Sequence, residues 1–214
     1  MIKKNKVTLL ITSIITLLPI IAGVIMWNDL PDTIATHWGV DNEPNGFMAK
    51  PFAVFGLPFM MLALHWVCIF FTAFDKKQAN QNPKIITMVL WIIPSISVIL
   101  SALTYTYAMG KKINIGLFAL LIGGILFVAI GNYLPKCKQN YSIGVRLPWT
   151  FSDTENWNKT NRFTGVVWVI GGLIIIFTSP LTSPIIFITV ILAITLIPTI
   201  YSFLLSKHKT ENDD

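Results

Sequence analysis

Charged side chains are scarce in this 214-residue chain, at 12% of the sequence, whereas hydrophobic residues make up 54%. That charged share is about half of what a soluble globular domain carries. The few charges cluster at the termini and in short stretches between long apolar runs. The chain therefore lacks the polar residues to cover a soluble surface, and the composition favours a protein surrounded by lipid.

Motifs that carry chemistry are also missing. The two cysteines, Cys68 and Cys137, belong to no Cys-x-x-Cys pair or Cys/His cluster, which argues against a zinc site or a disulfide framework. The sequence has no His-Glu-x-x-His, no Gly-x-Ser-x-Gly and no Gly-rich phosphate loop. No pair of carboxylates lies within an apolar run to perform acid–base chemistry. We therefore expect no cofactor, no metal ion and no enzymatic activity.

Six apolar segments are long enough to cross a bilayer. The first four are residues 7–26, 52–74, 85–107 and 115–134. About 20 helical residues span the hydrocarbon core of a bilayer. The last apolar region, 163–205, is about twice too long for one span, and the stretch 178–184, rich in proline and hydroxyl residues, divides it. The sequence predicts an all-α integral membrane protein with six transmembrane helices.

Lys and Arg are distributed unevenly between the two sides that six spans create. Of 16 such residues, 13 lie in the N-terminus, the 75–84 loop, the 135–162 loop and the C-terminal tail, and 3 lie on the opposite side. Cytoplasmic loops are enriched in Lys and Arg. The bias predicts that both termini are cytoplasmic, an N-in/C-in topology.

The predicted external loop, residues 28–50, contains a turn-rich centre with flanks that could pair as a short hairpin. Within it, His37 and Trp38 either anchor the hairpin at the membrane interface or contact a ligand, and both interpretations stay open. The loop has an acidic surface, because it carries four carboxylates against the single Lys50: Asp29, Asp32, Asp41 and Glu43.

The predicted cytoplasmic loop, residues 135–162, is denser in chemistry than a connector requires. Ser152 and Glu155 fit a capping box that opens a helix running through Trp157 into the fifth span. Arg146 and Trp149 either anchor the loop at lipid headgroups or form part of a binding surface.

His65 is the one side chain inside a predicted span that titrates near neutral pH. Intramembrane ionisable groups often mark a relay or binding point. The alternative is a neutral imidazole that hydrogen bonds to a neighbouring helix.

Small residues in the fourth span predict close helix packing. Gly116, Ala119 and Gly123 share one helical face, and Gly124 and Gly131 lie one heptad apart beside it.

The 135–162 loop resembles the signature of the SdpI family, Asn-x-x-Ile-Gly-Ile-Arg-x-Pro-Trp-Thr…Trp. The matching residues are Asn140, Ile143, Gly144, Val145, Arg146, Pro148, Trp149, Thr150 and Trp157. The first loop resembles a small membrane module of uncharacterised function, through Pro31, His37, Gly39 or Gly46, Lys50 and Pro58. The resemblance predicts an N-terminal module over 1–110, an SdpI-like module over 111–206 and a polar tail over 207–214.

The resemblance implies a non-enzymatic immunity protein in the bacterial cell membrane that protects its producer against a secreted, membrane-active toxic peptide. The expected partners are membrane lipid and that peptide, which His37, Trp38, Asp41 and Glu43 would face. The second alternative is a signal-transducing receptor that would hold a transcriptional repressor at the membrane, without binding nucleic acid itself. A small permease is the third alternative.

Overall fold

The computed structural model describes residues 1–75, 77 and 81–213, with side chains described as far as residue 208. Lys76 and the side chain of Lys209, two of the charges counted above, lie outside the described residues, as do the side chains of most of the predicted polar tail. The helices are α1 (Lys6–Ile25), α2 (Leu57–Ala73), α3 (Pro83–Ala108), α4 (Ile115–Tyr133), α5 (Pro148–Ser152), α6 (Thr154–Thr178) and α7 (Pro184–Asp213). The strands are β1 (Thr33–Trp38) and β2 (Pro44–Ala49), and a π-helical turn, Phe52–Gly56, leads into α2.

Among the described residues, six helices are long and apolar enough to cross a membrane, each 22 to 28 residues long once the flanking turns are included. They confirm the predicted six spans. The break between the last two falls where the prolines predicted it, since Thr182 has a left-handed backbone and Pro184 begins α7. The N-in/C-in orientation stays a prediction.

The chain divides into two compact units. The first contains Met1–Phe74 and Ile86–Gly116, and the second contains Asp75–Ile85 and Leu117–Asp214. The module boundary expected at residue 110 stays a prediction.

In the first unit, β1 and β2 form the predicted hairpin as an antiparallel pair, with Thr33 opposite Ala49 and Ile34 opposite Met48. Ile34 is fully buried against Leu30 and Val54, so β1 is the inner strand. Lys50 ends the hairpin and is itself buried: its Nζ donates to the carbonyl oxygen of Trp27 at 3.2 Å and lies 3.5 Å from the Asp32 carboxylate. These contacts fasten the hairpin to the chain that leaves α1.

In the second unit, α4 and α6 approach closely through glycine. A Cβ at Gly124 would lie 2.8 Å from the carbonyl oxygen of Gly172, too close for a side chain, and one at Gly131 would crowd the carbonyl of Gly165 equally. The predicted packing through the face formed by Gly116, Ala119 and Gly123 is wrong, because Ala119 is exposed and a Cβ at Gly123 would meet nothing within 4 Å.

Candidate functional sites

The 135–162 loop, which is the signature loop, is organised around Asn140, whose side chain is fully buried. Its Nδ2 donates to the carbonyl oxygens of Lys138 and Ile143 at 2.8 and 2.7 Å. Its Oδ1 accepts from the backbone N–H groups of Ser142 and Ile143 at 2.8 and 2.6 Å. One buried side chain thus supplies the hydrogen bonds that this tight turn cannot make by itself.

The turn continues through Gly144, which has a φ of +115°. A Cβ at this position would be strained, and it would lie 2.8 Å from Asn161 Oδ1 and 2.9 Å from the Trp157 ring. Asn161 Oδ1 accepts from Val145 N–H at 2.9 Å, and the fully buried Trp157 donates its Nε1–H to the carbonyl of Cys137 at 2.9 Å. Gly144 is therefore required by both conformation and space.

Pro148 and Trp149 begin α5, with proline at the first helical position, where its missing N–H costs nothing. Trp149 Nε1 donates to Ser202 Oγ on α7 at 2.8 Å, and its ring packs edge-on against Phe203. Ser202 Oγ in turn donates to Asn156 Oδ1 on α6 at 3.1 Å. Trp149 thus ties the loop to the last two helices rather than projecting away from them.

Arg146 differs from its neighbours because its side chain is exposed. Nη1 donates to the carbonyl oxygen of Tyr141 at 2.7 Å. Tyr141 is also exposed, and its ring stacks on Phe151. The loop therefore presents two exposed side chains, Arg146 and Tyr141, which are joined through the Tyr141 carbonyl, and one of the five guanidinium donors is used in that bond.

Sequence reasoning missed Asp75, which joins the site from a distant part of the chain. Its carboxylate accepts from Tyr141 N–H at 2.8 Å, from Ser142 Oγ at 2.6 Å and from Lys77 N–H at 2.9 Å. Burial opposes ionisation of Asp75, but these hydrogen bonds outweigh it and lower the pKa of the carboxyl below its ordinary value. Nothing in the local sequence distinguishes Asp75 from any other charged residue beside a helix end.

Cys137 lies in the same network as a buried free thiol. Its Sγ is 3.2 Å from the carbonyl oxygen of Ile143 and accepts from Asn140 Nδ2 at 3.3 Å. Burial raises the pKa of the thiol to about 11, so Cys137 is a poor nucleophile. It fills space and hydrogen bonds inside the loop.

The predicted capping box at Ser152 is wrong, because the helix begins one residue later than the box placed it. Asp153 is the N-cap of α6, and its Oδ1 accepts from Glu155 N–H at 2.8 Å. Ser152 ends α5 and donates to the carbonyl oxygen of Trp149. Aspartate and serine both cap helices well, so the sequence left the choice one residue uncertain.

The candidate residues of the hairpin lie mostly on its surface. His37, Asp41 and Glu43 are exposed, and His37 Nδ1 hydrogen bonds to Asn45 Oδ1 across the turn. Trp38 is half-buried and packs edge-on against Tyr107 of α3 at 5.4 Å between ring centres. The structure therefore separates the pair: Trp38 packs against α3, whereas His37 and the carboxylates are exposed.

His65 is fully buried within α2, and its Nε2 lies 3.1 Å from Thr12 Oγ1 on α1. The other ring nitrogen is buried without a hydrogen-bond partner. The contact with α1 favours the interpretation of a neutral imidazole that joins two helices.

No group of three or more His, Cys, Asp or Glu side chains among the described residues could hold a metal ion.

The chain matches known proteins. Two family models fit it: the SdpI/YfhL protein family over residues 136–202, and a domain of unknown function, DUF1648, over residues 14–62. Immunity protein SdpI of Bacillus subtilis (strain 168) is 30% identical over 206 residues, which cover 96% of this chain and 95% of that protein.

The chain belongs to the SdpI/YfhL family. Membership and the six apolar helices identify it as a multi-pass protein of the bacterial cell membrane. The SdpI/YfhL match over 136–202 includes the whole network from Cys137 to Ser202 but neither Asp75 nor the hairpin. No solved structure matches the chain.

Proposed function

We propose that this protein is a membrane immunity protein that protects its producer against a secreted, membrane-active peptide. The observation that carries the proposal is the identity with Immunity protein SdpI along nearly the full length of both chains. A match over one module could reflect a shared membrane anchor, but a match across all six spans includes both loops that the sequence singled out.

The protective role in this proposal is non-enzymatic. The polar site around Asn140 uses its donors and acceptors on the backbone of its own loop, and burial raises the pKa of the thiol within it. Such an arrangement fixes a shape and activates no nucleophile. Protection then depends on binding the peptide or excluding it from its target.

A complementation assay tests the proposal. This gene is expressed in a Bacillus subtilis strain that lacks Immunity protein SdpI, and the cells are grown beside the parent strain. We expect survival close to that given by the native immunity gene, whereas the empty vector gives none. Killing at normal membrane levels of this protein, by the parent strain and by a panel of cationic amphipathic peptides alike, would contradict an immunity function.

A second candidate role is that of a receptor that captures a cytoplasmic transcriptional repressor. It is favoured by the exposed Arg146 and Tyr141, which a hydrogen bond from the guanidinium to the Tyr141 carbonyl holds together, because Arg and Tyr are enriched in interface hot spots. The role needs this loop to be cytoplasmic, as the 13-to-3 distribution of Lys and Arg predicts.

A further inference from the structure

The hairpin of the first unit has an inner and an outer strand. β1 buries Ile34 and Ala35, whereas the side chains of β2 are largely exposed, with Phe47 at 60% and Met48 at 41%. No third strand pairs with β2 in the part of the chain that the structure describes. β2 therefore has one edge paired to β1 and one edge without a strand partner.

The register identifies the backbone groups on that outer edge. Lys50 N–H donates to the Asp32 carbonyl at 2.8 Å, which makes this a hydrogen-bonded pair of the antiparallel ladder. Successive residues of an antiparallel strand alternate between facing the partner and facing away. The backbone N–H and C=O groups of Met48 therefore face β1, whereas those of Phe47 and Ala49 point to the outer edge of β2.

An apolar groove of about 340 Å³ adjoins this edge. Its lining is almost wholly apolar and comes from the end of β2, the π-helical turn and the first turns of α2: Met48, Ala49, Phe52, Gly56, Leu57 and Met60. Methionine side chains adapt to differently shaped apolar partners. A Cβ at Gly56 would meet only Phe52, at 3.9 Å, so Gly56 leaves room in the groove.

The surface charge of the same hairpin has one sign. Asp29, Asp41 and Glu43 are exposed, whereas Lys50 is buried and beside Asp32. A cation approaching β2 meets carboxylates on this loop without an exposed positive charge of the hairpin to repel it. The surface complements a segment that is positively charged and apolar on alternate side chains.

We propose that the outer edge of β2 and the Met48–Met60 groove dock an extended segment of a cationic amphipathic peptide. The backbone groups of Phe47 and Ala49 pair with the peptide as an added strand, and the groove receives its apolar side chains. This inference rests on the immunity function and identifies where the peptide binds.

Photocrosslinking tests the site in the full chain, reconstituted in nanodiscs of zwitterionic lipid. A photoreactive phenylalanine analogue replaces Met60 in the groove or, as a control, the exposed Phe71 farther along α2. The probe is a biotinylated peptide of alternating lysine and leucine, and a glutamate–leucine peptide of equal length controls for charge. We expect labelling from position 60 to exceed that from position 71, and to fall about tenfold with the acidic peptide.

A matched pair of substitutions tests occupancy of the groove. Gly56→Leu fills the groove, so a peptide side chain that enters it would be overpacked. Binding should weaken, and labelling should fall about tenfold. Gly123→Leu makes the same chemical change where a Cβ meets nothing within 4 Å, and labelling should be unchanged. Crosslinks to phospholipid alone, or equal labelling in both variants, would overturn the docking site.

The complementation assay separates this inference from the proposed function. Protection by wild type and by Gly123→Leu, but not by Gly56→Leu at equal membrane level, supports docking in the groove. Equal protection by all three overturns the site and leaves the immunity function standing. If wild type protects against nothing, the immunity function fails, and labelling from position 60 still decides whether the groove binds cationic peptides.

Discussion

The two polar regions of the molecule use their side chains in opposite ways. The hairpin turns its polar groups outward, with His37, Asp41 and Glu43 exposed. The signature loop turns its polar groups inward, with Asn140 and Thr150 fully buried and bonded to the loop backbone. Both regions looked equally rich in polar residues from the sequence.

The difference teaches where specificity for a partner can lie. A buried, fully bonded network specifies one backbone geometry and offers few groups to a ligand. An exposed strand next to an apolar groove, with carboxylates in the adjoining turn, offers backbone, apolar and charged groups to a ligand. We infer that the signature loop is identifiable in sequence because its geometry demands particular residues, and that the hairpin is where contact is made.

The largest effect separates the two regions by side of the membrane. With Cys68 replaced by Ser, Val40→Cys in the hairpin should react with a membrane-impermeant maleimide on intact cells, because Val40 is 84% exposed. Ser152→Cys in the signature loop should react only after the cells are permeabilised. The native Cys137 cannot report its side, since it is buried with a raised pKa. Labelling of position 152 but not of position 40 on intact cells would reverse the predicted topology, and equal labelling of both would contradict their placement on opposite sides.

The next effect concerns the inward-facing network. Asn140→Ala leaves the partly buried N–H groups of Ser142 and Ile143 without their acceptor. Each orphaned group costs about 1–3 kcal/mol, so we expect a large loss of folded protein, measured by thermal unfolding in detergent and by membrane level. Asn158→Ala, at an exposed position on α6, is the matched control and should behave as wild type. Equal stability of the two variants would show that the network is dispensable.

Much of the fold could be predicted because the bilayer restricts the solutions. Spans of about 20 apolar residues and the proline-rich break at 178–184 determined six helices without any knowledge of contacts. The hairpin followed from local turn chemistry in residues 41–46. These features depend on neighbouring residues in sequence, which is why they were accessible.

The site could be predicted only in part. Asn140, Gly144 and Trp157 were singled out by their resemblance to a known motif, and the structure brings them together. Asp75 and Ser202 were missed, because they reach the loop from other parts of the fold and carry no local signal. The sequence also did not reveal burial, since it gave Trp149 and Arg146 the same two interpretations. In the structure, Trp149 hydrogen bonds to Ser202 of α7, whereas Arg146 is exposed.

Trp149 and Arg146 should therefore give different phenotypes. Trp149→Phe keeps an aromatic ring but loses the hydrogen bond to Ser202, which costs about 1 kcal/mol. Membrane level and survival should fall together. Arg146→Gln should leave membrane level and survival near wild type and reduce only the output of a promoter controlled by the captured repressor. Survival lost in Arg146→Gln at normal protein level would mean that the signature loop protects directly.

The pH dependence of stability tests the role of Asp75, the buried carboxylate that hydrogen bonds to the signature loop. The pKa of Asp75 is lowered in the folded protein, so its stabilising contribution is present above the ordinary carboxyl pKa and is lost as pH falls through the folded value. Thermal unfolding between pH 7 and pH 3 should show this loss. Ser142→Ala removes one hydrogen bond to the carboxylate and should move the loss to higher pH. A pH profile identical to wild type would remove that bond from the explanation.

The smallest expected effect concerns the outward carboxylates of the hairpin. Asp29→Asn, Asp41→Asn and Glu43→Gln are combined, and Asp32 is kept because its carboxylate lies 3.5 Å from Lys50 Nζ. The amide at position 41 still accepts the turn hydrogen bond from Glu43 N–H, so the hairpin should fold normally. Attraction of a cationic peptide should weaken, lowering protection several-fold at low salt. The difference should shrink near physiological salt, where the screening length falls to about 8 Å.

Lys111→Gln with Lys112→Gln, on the same predicted side, is the control. It removes charge of the opposite sign and should leave protection equal or better. If the triple amide variant protects as well as wild type at low salt and equal membrane level, the carboxylates play no part in capture, and the apolar groove beside β2 would have to act alone.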